Sequence, residues 1–147
     1  MTNELDPIDL LNSGKTVTGS DNEPLLGSLD LLTDGDKSAE EGSYTEFGSG
    51  KQWVQVDLGS AQSASRVVLQ LPTGWGARTQ TLSVLGSGDG GSWSTVVASA
   101  NYTFDPASAN TVTITFTATT QRYLRLTFTA NTGWPAGQLS SLQVWNV

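Results

Sequence analysis

The chain has 147 residues, 14 acidic against 7 basic side chains, a net charge of −7, and neither cysteine nor histidine. That length suits one domain with a proper core, and the missing side chains exclude disulfides, thiolate metal sites, Ser-His-Asp or Cys-His catalysis and histidine-based metal chemistry. The acidic balance argues against nucleic acid or an anionic membrane as main partner, since both need a basic face, and no run of about 18 apolar residues is present to span a bilayer.

The opening "MTNELDPIDLLNSGK" lacks the basic-then-apolar order of a secretion signal. Residues 1–14 are expected to be loosely ordered, leaving 15–147 as the domain. "LLGSLDLLTDG" carries leucines at 25, 26, 29, 31 and 32; it reads as a short helix or an irregular apolar segment, a loop that plugs one end of a barrel. The overlapping "LTDGDKS" sets two aspartates two residues apart around a glycine. Such a turn can wrap a hard cation with carboxylate and carbonyl oxygens, and is equally an ordinary turn.

From residue 52 the signal is alternation, the period of a half-buried strand. "QWVQVDL" puts Val54, Val56 and Leu58 on one face and Trp53, Gln55 and Asp57 on the other. "SRVVLQL" turns Val67, Leu69 and Leu71 inward, and "TLSVLG" turns Leu82 and Val84. "WSTVVAS" is a further short run. "TVTITFT" sends Val112, Ile114 and Phe116 inward, "RYLRLTF" sends Leu124, Leu126 and Phe128, and "SLQVWNV" closes the chain. Turn signals separate these runs: "GSGDGGS" as a flexible hairpin, "DPASAN", and "NTGWPAGQ". Some eight strands with one buried face each predict an all-β antiparallel sandwich or jelly roll rather than a parallel α/β fold.

Among five tryptophans, Trp53, Trp93 and Trp145 lie in or beside strands, where packing on a core or sheet face is expected. Trp75 in "PTGWGAR" and Trp134 in "NTGWPAGQ" sit in glycine and proline loops that offer few apolar neighbours of their own. Each can fold back over the end of the sandwich or stand as a platform for the apolar face of a sugar ring; exposed aromatics mark binding sites. Arg78, three residues after Trp75, offers a rigid fork of donors suited to adjacent hydroxyls, or makes a surface ion pair. Gln138, Glu46 and the Ser20–Glu23 stretch are further polar candidates for that end. A glycosidase needs two carboxylates; only Asp89 and Asp105 follow Asp57, both in turns, and no spacing singles out a pair. An enzyme is therefore not expected.

The phrases "GKTVTGSDN", "LLTDGDKS", "QWVQVDLGS…SRVVLQLP", "TLSVLGSGDGGSWSTV", "QRYLRLTFT" and "LSSLQVW" resemble the discoidin, or F5/8 type C, domain from Lys15 onward. They look most like the bacterial carbohydrate-binding modules of family 32, with "GWGARTQTLSVLGS" similar to modules on α-glucan-degrading enzymes. The resemblance implies an eight-stranded, galactose-binding-like jelly roll whose loops at one end take a polysaccharide or oligosaccharide. There Trp75, Arg78, Trp134, Gln138 and Glu46 would meet the sugar. It implies attachment to a catalytic domain in a secreted parent and an extracellular setting. It also implies a structural calcium held by the Asp34 carboxylate, the Leu31 and Asp36 carbonyls and Ser43. The family's last ligand, a closing-strand glutamate, falls at Ser141, which removes one charge and weakens that site. Two other readings stay open: a protein-interaction or adhesion domain of the same family, and an engineered chimera without a natural ligand, since the N-terminal third resembles one branch and the remainder another.

Overall fold

A computed structural model describes residues 15, 17–19, 45–49, 52–72, 74–133 and 136–146. Strand accounts for most of them: β1 (Val17–Gly19), β2 (Thr45–Ser49), β3 (Gln52–Gln70), β4 (Arg78–Ser87), β5 (Ser94–Phe104), β6 (Thr111–Asn131), β7 (Ala136–Leu139) and β8 (Ser141–Trp145).

Two runs read as separate strands on the N-terminal side, "QWVQVDL" and "SRVVLQL", are one 19-residue strand; likewise "TVTITFT" and "RYLRLTF" are joined in the 21-residue β6. β3 and β6 pair antiparallel along both halves, with register shifts at 57–62 and 64–66 where the ribbon turns a corner. The first half of β3 also holds β1, and the second half of β6 holds β4 and through it β5. β8 adds to the second half of β3, and β2 and β7 form a separate two-stranded ladder.

Inward residues from both halves of β3 (Val54, Val56, Leu58; Val67, Leu69) share one core with Leu82, Val84, Leu124, Leu126 and Phe128. The ribbon thus folds over its own apolar face, as the two layers of a β-sandwich. The apolar residues expected inside on β3, β4 and β6 are buried, except that Phe116 is half-buried. β5 is exposed along most of its length and fully buries only Phe104.

On the outer face, Arg125 is sandwiched between Trp53 (3.8 Å from guanidinium carbon to ring centre) and Trp93 (4.0 Å), and both its Nε and Nη2 donate to Gln55 Oε1. Tyr123 meets Trp93 edge-on at 6.4 Å. These stacks are how two of the strand-associated tryptophans pack on a sheet face; the third, Trp145, is buried in β8.

The "GSGDGGS" hairpin, at the end where Ser87 and Asp57 both face Tyr123, is tightly bonded rather than loose. Asp89 Oδ1 accepts the Gly91 and Ser92 amides at 2.8 and 2.9 Å, and Ser87 Oγ accepts those of Asp89 and Gly90. Gly90 takes φ +78°, a left-handed conformation that glycine adopts without cost.

At the same end Arg122 donates through Nε and Nη2 to the two oxygens of Asp57, at 2.8 and 3.0 Å, and the Gly59 amide donates to Asp57 Oδ1. The Arg122 bonds, helped by Gly59, hold the Asp57 carboxyl below its usual 3.8. A lowered folded value makes the contribution complete above the unfolded pKa of about 4 and lost as pH falls through the lowered one. Asp57→Asn is therefore expected to lower the melting temperature modestly at pH 7, the pair being half-exposed, with the deficit shrinking as pH falls below about 4. Melting curves from pH 2 to 7 check this.

Candidate glycan site at the loop end

The opposite end gathers the β3–β4 connection, the β5–β6 connection and the segment between β6 and β7. Antiparallel pairing dictates this, because Gln70 faces Thr111, Arg78 faces Phe104 and Gln80 faces Asn131.

Trp75 and Arg78 meet here. Trp75 is half-buried, packs in part on the core, and carries the Arg78 guanidinium over its ring at 4.5 Å. The indole is therefore a support for the arginine as well as an apolar surface in the loop. Arg78 Nη1 donates to Gln138 Oε1 at 2.8 Å, and its Nε lies 3.4 Å from the Gly76 carbonyl. Stacking and a charge-assisted hydrogen bond fix the plane of the fork.

Gln138, in β7, is 2% exposed. Sequence reading placed it among the sugar contacts; the structure puts it behind Arg78, as the acceptor that orients it. A second buried carboxamide, Gln80, holds Gln138 in turn. Gln80 Nε2 donates to the Gln138 carbonyl at 2.9 Å, and Gln80 Oε1 accepts the Gln138 amide at 3.0 Å. Asn131 Nδ2 donates to Gln138 Oε1 at 3.2 Å. β4, β6 and β7 are thereby tied into one polar cluster beneath Arg78.

Gly133 closes over the cluster. A Cβ on it would lie 3.0 Å from both Cζ and Nε of Arg78, so a larger residue would have to push the guanidinium back by a few tenths of an ångström. Its amide donates to Asn131 Oδ1 at 2.9 Å, and the Thr132 amide donates to the Thr79 carbonyl at 2.9 Å.

The other candidates divide as follows. Glu46 lies on β2 opposite Gln138 in register, so its backbone belongs to the same corner. Trp134 lies outside the described residues, next to Gly133. Leu31, Asp34, Asp36 and Ser43, the remaining calcium candidates, also lie outside them, as do the Ser20–Glu23 stretch and residues 1–14. Ser141 is buried in β8, where a neutral hydroxyl would leave a bound cation to the loop carboxylates. Among the described residues no three acidic side chains cluster to hold a metal ion.

The family model for the NedA-like, galactose-binding domain of the F5/8 type C group matches residues 31–126. The chain belongs to this galactose-binding-domain family. Solved structures agree. The chitosan-binding module 1 of a chitosanase/glucanase from Paenibacillus sp. IK-5 shares 30% identity, covering 94% of this chain and 98% of that one, with a TM-score of 0.69. The family 32 carbohydrate-binding module of AlyQ, solved with 4,5-unsaturated mannuronic acid, has 23% identity, 92% and 98% coverage and a TM-score of 0.74. The family 32 module of Clostridium perfringens NanJ, solved with galactose, has 16% identity, 94% and 98% coverage and a TM-score of 0.75. Curated protein sequences give no match. The discoidin resemblance and the antiparallel sandwich expected from the sequence are thus both found.

Trp75 in the loop and Arg78 at the start of β4 form the stacked pair, and Gln80 is a part of the site that sequence reading missed. Gln80 did leave a signal: it shares the inward face of β4 with Leu82 and Val84, a polar residue on an apolar stripe.

Proposed function

We infer that the protein is a non-catalytic carbohydrate-binding module that holds an attached glycan-degrading enzyme against its polysaccharide in an extracellular setting. The observation that carries the reading is Arg78, fixed by the Trp75 ring and the Gln138 carboxamide at the loop end. A fork of donors held in place can grip vicinal hydroxyls without first losing side-chain entropy, and the indole edge beside it offers apolar contact to ring carbons. Support comes from the family membership and from the 30% identical chitosan-binding module. An α-glucan is the first ligand to try, on the resemblance of "GWGARTQTLSVLGS" to modules of α-glucan-degrading enzymes.

A site this small should bind with a Kd on the order of 10 µM to 1 mM, and tethering would turn that modest affinity into a high local substrate concentration. The test is titration calorimetry with maltotriose, galactose, a chitosan trisaccharide and an oligomannuronate on wild type, Trp75→Ala and Arg78→Ala. One probe is expected to bind, with a loss of at least tenfold in each variant, about 1.4 kcal/mol. If none binds and the variants only melt earlier, the loop end closes the sandwich and the protein-interaction reading replaces this one.

A further inference from the structure

Trp75 stands between two glycines in its loop. A Cβ added at Gly74 or at Gly76 would find no atom within 4 Å, so the chain on either side of the indole is loosely surrounded. Within the turn the Trp75 amide donates to the Pro72 carbonyl at 3.0 Å.

A residue far away in sequence completes the hold. Asn110 is fully buried, and its Nδ2 donates to the Pro72 carbonyl at 2.7 Å and to the Trp75 carbonyl at 3.0 Å. Its own carbonyl accepts the Leu71 amide at 3.0 Å. One residue thus bonds the start, the second residue and the tip of the loop, from the core side.

Asn110 is itself set by the turn that precedes it. Its amide donates to the Asp105 carbonyl at 2.8 Å, and its φ is +50°, following Ala109 at +55°. Glycine or asparagine fits such a conformation, but only asparagine also brings two N–H donors to the loop.

We propose that Asn110 is a positioning residue of the glycan site: it holds the Trp75 loop so that the indole and the Arg78 guanidinium stacked on it stand in binding geometry before the sugar arrives. Buried as it is, Asn110 acts through the loop that carries Trp75. The proposal rests on the glycan-site reading above. Binding energy that a loose loop would spend on ordering itself is instead available to the contact.

Asn110→Gly keeps the left-handed backbone and removes both side-chain bonds. Asp105→Ala is its control: Asp105 Oδ1 accepts only the Ala107 amide in the neighbouring 3-10 turn, at 2.9 Å, so this change loosens the turn without touching the loop carbonyls. Both variants, wild type and Trp75→Ala are titrated with maltotriose, galactose, the chitosan trisaccharide and the oligomannuronate, at a temperature well below every melting midpoint. The expected result is a five- to tenfold weaker Kd in Asn110→Gly at unchanged stoichiometry, with Asp105→Ala within twofold of wild type though it melts earlier. A merely structural asparagine would move the midpoint in both variants and the affinity in neither. If Trp75→Ala loses binding while Asn110→Gly stays within twofold of wild type, or if Asp105→Ala weakens binding as much, the positioning role falls and the site stands. If wild type binds none of the four probes, the site reading falls and the positioning role with it.

Discussion

Gln80→Leu is expected to lower the unfolding free energy by about 2–4 kcal/mol, measured by urea denaturation. Gln80 is fully buried, and its carboxamide closes a two-bond pair with the backbone amide and carbonyl of Gln138. Leucine has nearly the same volume but leaves both of those backbone groups without that partner on a residue 2% exposed. An orphaned buried amide or carbonyl costs about 1–3 kcal/mol each, and the added apolar burial offsets part of the sum. The pair also crosses from β4 to β7, so its loss frees the Gln138 side chain that orients Arg78. Weaker glycan binding should accompany the lost stability. A change below about 0.5 kcal/mol, the size of an ordinary surface substitution, would show that β7 is held by other contacts.

Phe104→Ala should cost about 3–5 kcal/mol, the range for removing a buried ring and leaving a cavity. Phe104 ends β5 and pairs with Arg78 at the start of β4. The rest of β5 is exposed or half-buried, so this ring is the strand's main anchor in the core. The midpoint should fall by roughly 10–15 °C on thermal melting, and Phe104→Leu should recover most of it by refilling the cavity. Similar losses from Val96→Ala or Val97→Ala, both half-buried, would mean that the anchor is spread along the strand instead.

How much of this could be read beforehand depended on range. Alternation from Gln52 to Phe128 gave the inward set Val54, Val56, Leu58, Val67, Leu69, Leu82, Val84, Leu124, Leu126 and Phe128, because a period of two is a local consequence of burying one face. The joining of two runs into β3 was not legible: a strand that turns a corner keeps its alternation on both sides, and the bend lies in the register with β6. Trp75, Arg78 and Gln138 were each legible as candidates, the first two from their glycine-rich loop. Their arrangement was not, since Arg78 and Gln138 are 60 residues apart and meet only through the sheet. Asn110 hid in a "DPASAN" segment that reads as a turn and is one; its second task, the bonds to residues 72 and 75, spans more than 30 positions.

The long ribbon of β3 and β6 also sets a schedule for folding. Gln52 faces Phe128, Gln70 faces Thr111 and Arg66 faces Trp145, so the strand at the centre of the sheet finds its β6 and β8 partners about 40 to 80 residues downstream. Closing such large loops precedes any reward from pairing, and domains dominated by distant pairings fold in milliseconds to seconds rather than microseconds. Until β6 emerges during synthesis, β3 lacks the partner it pairs with along both halves. The Ser87–Ser92 turn, whose side-chain hydrogen bonds are local, is able to form while the chain waits.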